Sequence, residues 1–273
     1  MKSLLPISLV TLAIASCQSP QAESDAKALS ELSNKIDAID KKIDRIGASA
    51  GRGQAPKQRR RPTVGQLYKI PVSDKDAYRG GKNAKVTIAI ASEFACPYCA
   101  QLAKVSDELL EAYDDGDLKV VSKHFVVHPA LATKPALATC AAALQGKFAD
   151  FEGALWAKAW PGEKPRLQRD ALSEKSLEKM ATEIGLDMTR YKSDMKSACT
   201  GTLDRNRIEL SSLGVNGTPA MYINGVYYGG ARTVEALKAV IDTEVAKADK
   251  VLATGIALAD YYPSLIAKGK TKM

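Results

Sequence analysis

Apolar positions follow several rhythms along this chain. Between residues 29 and 46 they fall at Leu29, Leu32, Ile36, Ile39, Ile43 and Ile46, at spacings of 3, 4, 3, 4 and 3. Nearly every position between them is polar, which predicts a helix over residues 25–46 with one a/d seam. Lys35 at g and Asp40 at the following e can pair between helices, and isoleucine at both a and d in the last two heptads favours trimers or higher over dimers. A lone helix of ~20 residues is marginal in water, so the seam needs a cover, either other copies or its own domain. Lys85 to Ala91 (KVTIAIA) is instead one continuous apolar run, suited to a strand covered on both faces. A helix follows, with Leu102, Val105 and Leu109 on one side, ending near Asp114-Asp115-Gly116. Residues 129–213 carry helix signal, with Ser173 as an N-cap and Gly185 as the C′ residue of one helix. Two short apolar runs, Ala220–Ile223 and Val226–Tyr228, flank Asn224-Gly225, a strong hairpin signal. A last helix opens near Thr233 and runs through Leu237, Val240, Ile241 and Val245.

Length and composition narrow the class. The 273 residues allow one or two domains, and 45% hydrophobic with 26% charged residues is ordinary globular composition. No apolar run reaches the ~18–20 residues of a spanning helix. The net charge is +8, but both signs are interspersed and only 6% of residues are aromatic, so no nucleic-acid partner is expected. Residues 47–64 lack apolar periodicity and read as a flexible basic linker. Within it Lys57, Arg59, Arg60 and Arg61 form a basic knot, read first as solvated and second as a contact for anionic headgroups.

The N-terminus reads as a processing signal. Lys2 precedes an apolar stretch from Leu4 to Ile14, and Ile14-Ala15-Ser16-Cys17 ends in cysteine. This resembles the bacterial lipobox, which implies a signal peptide over residues 1–16, a lipid on Cys17, a polar spacer over 17–24 and membrane attachment by lipid alone. Gln18, in place of aspartate, implies the outer membrane rather than the inner, with the protein facing the periplasm. The alternative is an ordinary secretory signal. With Cys17 lipidated, four of the five cysteines remain, an even number suited to an oxidising compartment.

Two of those four, Cys96 and Cys99, stand in Cys96-Pro97-Tyr98-Cys99, directly after the apolar strand and at the start of a helix. Strand, CxxC and helix in that order make a redox motif. The first cysteine sits where the helix dipole and free amides favour a thiolate, and it is expected to be exposed. The second, one turn further, is placed to resolve a mixed disulfide. Pro97 loses no hydrogen bond at a first helical position. A zinc site would need four ligands, and neither a second CxxC nor a suitable histidine pair accompanies this one, so no metal and no cofactor are expected.

Gly214-Val215-Asn216-Gly217-Thr218-Pro219 precedes the hairpin, and with it the chain resembles the thioredoxin superfamily, in particular periplasmic disulfide oxidoreductases of the DsbA, DsbC and DsbG type. The resemblance covers about Tyr68 to Ala248 and rests on LYKIPV, CPYC, CAAALQGKF and GVNGTPAMYING. It implies an α/β, thioredoxin-like fold over residues 65–250 with an inserted α-helical domain at 129–213, preceded by the coiled-coil helix and followed by a helical extension at 251–273. It implies a cis bond between Thr218 and Pro219 against the CxxC, with Thr218 offering backbone groups to an extended substrate. It also suggests a Cys140–Cys199 bridge, the alternative being two buried thiols. His128-Pro129 matches a structural His-Pro at the start of the insertion.

Two departures matter. Tyr98 stands where the DsbA oxidase has histidine, and Ile90 stands where many relatives have a buried acid. Glu93 is read either as a substitute proton carrier or as an exposed loop acid. Both departures argue for isomerase or reductase character over strong oxidation. The expected activity is thiol–disulfide exchange on unfolded or misoxidised exported proteins, with a DsbB-like or DsbD-like membrane redox partner and a dimer or trimer assembled through residues 25–46. The rival readings are a monomeric disulfide-forming oxidase and, from another class, a coiled-coil lipoprotein holdase.

Overall fold

A computed structural model describes residues 20–50, 61–73, 75–230 and 233–273. Two compact units emerge, residues 1–58 and 59–273. In the first, helix α1 spans Pro20–Ala50, longer at both ends than the 25–46 expected from the seam. Pro20 suits a first helical turn, and Ala48 and Ala50 are strong helix formers, so helix runs into both the spacer and the expected linker. Leu29, Leu32, Ile36, Ile39 and Ile43 are 52–67% exposed.

The second unit is built on a five-stranded sheet, β1 (Ala77–Gly80), β2 (Val86–Ser92), β3 (Leu118–His124), β4 (Ala220–Ile223) and β5 (Val226–Gly229), in the order β1-β3-β2-β4-β5. The β2–β3 pair is parallel and the others antiparallel. Every residue of β2 is buried, as its unbroken apolar run requires of a central strand covered on both faces. Successive side chains point to opposite faces. Val86, Ile88 and Ile90 meet Leu102 and Leu109 of α2 (Pro97–Ala112) and Leu237 and Ile241 of α8 (Val234–Leu252). Ala89 and Ala91 on the other face pack with Tyr68, Ile70, Leu210 and Leu213. Asn224 (φ 46°) and Gly225 (φ 83°) make the β4–β5 turn, and Asn224 Oδ1 accepts from Thr87 N–H at 2.9 Å, tying that turn to β2.

Between β3 and β4 the chain is helical, as expected for 129–213: α3 (Pro129–Ala143), α4 (Phe148–Ala159), a 3-10 turn (Arg169–Leu172), α5 (Glu174–Glu183), α6 (Met188–Lys196) and α7 (Ala198–Ser212). Ser173 caps α5 by accepting from Ser176 N–H, and Gly185 (φ 78°) closes it. These helices share a core that includes Phe94, Ala95 and Ala100, so the insertion packs directly on the CxxC loop. Cys140 of α3 and Cys199 of α7 are disulfide-bonded, with Cα atoms 5.7 Å apart.

Residues 251–273 depart from the simple extension expected. Helix α8 ends at Leu252, and after a break at 253–257 the short α9 (Leu258–Ile266) folds back on the body. Tyr261, Tyr262 and Ile266 are buried, Tyr262 Oη donates to Ile70 O at 2.8 Å, and Lys270 bridges to Tyr68. An apolar face of this kind needs a cover, and the start of the domain supplies it.

Candidate active site

Cys96 is the N-cap of α2, and Pro97 occupies the first turn, where a missing N–H costs nothing. The free amides of that turn lie at the thiol. Cys96 and Cys99 are unbonded, and burial is nearly equal, with 5% and 2% exposure. The expectation of an exposed Cys96 is therefore corrected. The loop before β4 lies over it, placing the carbonyl oxygen of Thr218 3.4 Å from Sγ. The Thr218–Pro219 bond is cis. Tyr98 points outward and is exposed.

The two thiols titrate in opposite directions. Cys96 is drawn down to about 6, first by the hydrogen bond its thiolate receives from the Cys99 thiol. The Thr218 side chain and the N–H groups of Cys99 and Tyr98 add to this, against burial. Cys99 is pushed far above the thiol range by burial, and then by the neighbouring Cys96. At neutral pH this pattern favours a thiolate at Cys96 and keeps the proton on Cys99.

Glu93 is not the exposed loop acid of the alternative reading, being 1% exposed. Its Oε2 accepts from Val127 N–H (2.7 Å) and His128 N–H (2.9 Å), while Oε1 meets Nδ1 of His128. A loop after β3 that leaves two amides without strand partners is thus held by one carboxylate. The ring of His128 lies largely in solvent, and its pKa is raised, first by the hydrogen bond to Glu93 and also by the charge on Cys96. The insertion packs aromatic rings on the residue two before the motif: Phe94 and Trp156 have ring centroids 4.4 Å apart, and Trp160 Nε1 donates to Phe94 O at 2.8 Å.

Sequence reasoning missed two buried polar groups here. His124, at the end of β3 against Phe94, is lowered to about 4 by burial. Glu152 of α4 is buried against β1 and β3, where Ser122 Oγ donates to Oε1 (2.8 Å) and Arg79 Nε lies 3.3 Å from Oε2. Nothing in FADFEGALW distinguishes that glutamate from a solvated helix residue, and only the packing of α4 on the sheet turns it inward. Cys140 and Cys199 stand in the insertion core and join no part of the Cys96 site. Cys17 and the leader lie outside the described residues. Among the described residues no group of three or more His, Cys, Asp or Glu side chains is placed to hold a metal.

Comparison with known proteins bears on the fold and the family. A Na(+)/H(+) antiporter, NhaA 3 of Salinispora tropica, is 32% identical over 206 residues, which take in 71% of this chain and 29% of the antiporter. The chain thus spans less than a third of the curated relatives' length. No helix among the described residues is long and apolar enough to cross a membrane. Among solved structures, the thiol-disulfide exchange protein alpha-DsbA2 of Wolbachia pipientis aligns with a TM-score of 0.54 at 21% identity, covering 64% of this chain and 89% of that one. A periplasmic thioredoxin-like protein of Salmonella enterica serovar Typhimurium aligns at 0.52 and 19% identity, covering 65% and 94%. Both likenesses are of fold. The Thioredoxin family model matches residues 73–243, which hold the CxxC, the cis-proline loop and all five strands, and the chain belongs to that family.

Proposed function

We propose that this chain catalyses thiol–disulfide exchange on exported proteins, with Cys96 attacking and Cys99 resolving. The observation that carries the reading is the opposed pair of thiols: Cys96 drawn down to about 6 at a helix N-terminus, Cys99 pushed up behind it. Thr218 and Pro219 border the attacking sulfur, so a substrate disulfide reaching Cys96 lies along their backbone. Reductase or isomerase character fits Tyr98, which brings no positive charge into the motif. Insulin reduction tests the chemistry. Cys99→Ser is expected to accumulate mixed disulfides through Cys96, detectable by mass, whereas the same adducts in Cys96→Ser through Cys99 would overturn the assignment.

The assembly is part of the same proposal. Residues 25–46 join two or three copies through the exposed Leu29–Ile43 seam, since 52–67% exposure of five large apolar side chains on one helix face calls for a partner. Several catalytic units held together raise the effective concentration around a misoxidised chain and favour repeated exchange. Lipid on Cys17 would hold the assembly in the bacterial cell envelope, facing the periplasm, at the outer membrane rather than the inner, with a DsbB-like or DsbD-like protein as electron partner. Light scattering on unlipidated chains with and without residues 25–46 tests assembly, and recovery of scrambled ribonuclease tests its purpose. The shortened chain is expected to be a monomer that reduces insulin but isomerises poorly.

A further inference from the structure

Resolution by Cys99 poses a problem that the Cys96 site does not solve. Burial keeps the Cys99 thiol protonated at neutral pH, yet it must lose that proton to attack Cys96. Directly behind it lies a cavity of about 20 Å³, room for one water molecule. Its walls include Cys99 from α2, Ile90 from β2, Ser122 from β3, Arg79 from β1 and Glu152 from α4. Glu152 is 5% exposed.

We propose that Glu152 exchanges the proton of Cys99 through a single water held in this cavity. The inference rests on the exchange activity argued above and adds a residue from the insertion to it. Geometry selects this acid over its neighbours. Glu93 already accepts from two amides and the His128 ring, and it does not line the cavity. Asp107 is half-exposed and bound to Arg79 Nη1. Among the described acids, Glu152 alone combines burial, contact with the cavity that Cys99 lines, and partners that serve both of its protonation states. Ser122 can donate to the carboxylate or turn its hydroxyl to accept from the acid.

The step balances as follows. With substrate sulfur bonded to Cys96, the Cys99 S–H proton passes to the water, which releases another to a Glu152 carboxylate oxygen. The Cys99 thiolate attacks Cys96 Sγ, and the bond to substrate breaks with its electron pair on the leaving thiolate. The enzyme dithiol has become a disulfide and the substrate disulfide two thiols. In reverse, a substrate thiolate attacks Cys96 Sγ, Cys99 leaves as thiolate, and Glu152 returns the proton.

The charged and titratable groups facing Glu152 are Arg79 from β1, Asp107 from α2 behind it, and the Cys99 thiol, with Ser122 from β3 and Trp156 from its own helix as further partners. The rest of α4 meets the insertion core through Phe151, Leu155 and Ala159, which carry no charge. Burial raises the Glu152 pKa, and the charge on Arg79 and the hydrogen bond from Ser122 act against that rise.

The full reduced chain reacting with a chromogenic aromatic disulfide such as 5,5′-dithiobis(2-nitrobenzoate) separates the steps. A first release of coloured thiolate reports attack by Cys96, and a second reports resolution by Cys99. Glu152→Gln is expected to leave the first phase unchanged and to slow the second at least ~10-fold near pH 6.5, a typical contribution for a positioned acid–base group. The deficit should vanish as rising hydroxide takes over, and Glu152→Asp should restore part of it. An unaltered second phase with an unaltered pH profile in Glu152→Gln overturns the proposal. If that variant does not fold, the parent chain decides: a second phase that levels off above an acid pKa supports an internal base, and a tenfold rise per pH unit from 5 to 9 refutes it. Absence of the first phase in the parent would instead count against the exchange activity itself.

Discussion

Two pairs of cysteines in one folded unit differ in bonding at nearly equal burial. Cys140 and Cys199 lie 59 residues apart in sequence and are bonded across α3 and α7. Cys96 and Cys99 are separated by two residues and stand as free thiols at one helix end. All four are buried. Exposure therefore does not divide the reactive from the structural pair. The division comes from neighbours: Cys96 has a thiol, a threonine side chain and free amides turned toward its charge, whereas the other pair sits among Ala138, Ala141, Ala142 and Met180. A thiolate needs donors, and an aliphatic core has none.

The largest effect should come from crossing that divide by mutation. Cys96→Ser is expected to lower insulin reduction at least ~10³-fold, as removal of an attacking nucleophile does. Cys140→Ala with Cys199→Ala should stay within about twofold of the parent rate, since neither residue touches the site. An equal loss in both variants would show that the insertion disulfide takes part in exchange.

The same double variant should rank second by a different measure. Opening a loop of 59 residues costs about 2–4 kcal/mol through the freedom returned to the unfolded chain. Urea unfolding under non-reducing conditions checks this as a lower midpoint at similar slope. A midpoint that does not move would mean that the α3–α7 contact holds without its bridge.

The placing of Cys96 and Cys99 at a helix start was legible in the sequence and their surroundings were not. A covered strand, CxxC and an amphipathic helix lie within thirty residues, so local periodicity places Cys96 at a helix start without knowledge of the fold. Asn224-Gly225 fixes its hairpin equally locally. The thioredoxin-like fold with its helical insertion was likewise readable, because Thr218-Pro219 and CPYC together resemble one family. What stayed hidden depends on packing between distant segments. Thr218 covers Cys96 across 122 residues, Glu93 is buried by amides 34 and 35 residues away, and Glu152 turns inward only because α4 lies on the sheet. The seam of α1 shows the converse. Its periodicity states that an apolar face exists, while the identity of its cover is absent from the pattern.

A third, smaller effect follows from the proton held differently by the two folding states. The Cys96 thiol titrates near 9 when unfolded and about 6 when folded and reduced. Between those values the unfolded chain binds the extra proton, so stability of the reduced protein rises with pH and is lost as pH falls through 6. The slope is at most about 1.4 kcal/mol per pH unit for one proton. Denaturation midpoints of reduced protein at pH 5.5, 6.5 and 7.5 should increase in that order relative to Cys96→Ser, and thiolate absorbance near 240 nm should titrate in parallel. Parallel midpoints in the two proteins would mean that Cys96 is protonated in the fold, erasing the contrast with Cys140 and Cys199.

The smallest effect sharpens the comparison by isolating one neighbour of the active thiol. His128 is positively charged over a wider range than an ordinary histidine because Glu93 holds its ring, and the Cys96 charge adds to this. By reciprocity the imidazolium favours the Cys96 thiolate. His128→Gln should therefore raise the Cys96 pKa and slow its alkylation at pH 6–7, with Glu93 left as an uncompensated negative charge acting in the same direction. The ring lies in water, so its attraction is weak and screened, and the change should stay within about threefold and shrink at 0.5 M salt. Glu93→Gln should act in the opposite direction if charge alone matters, but it also removes the acceptor that holds the Val127 and His128 amides. Slower alkylation in both variants would mean that Glu93 acts chiefly by holding the loop. Faster alkylation in Glu93→Gln would mean that its charge, rather than its grip, sets the reactivity of Cys96.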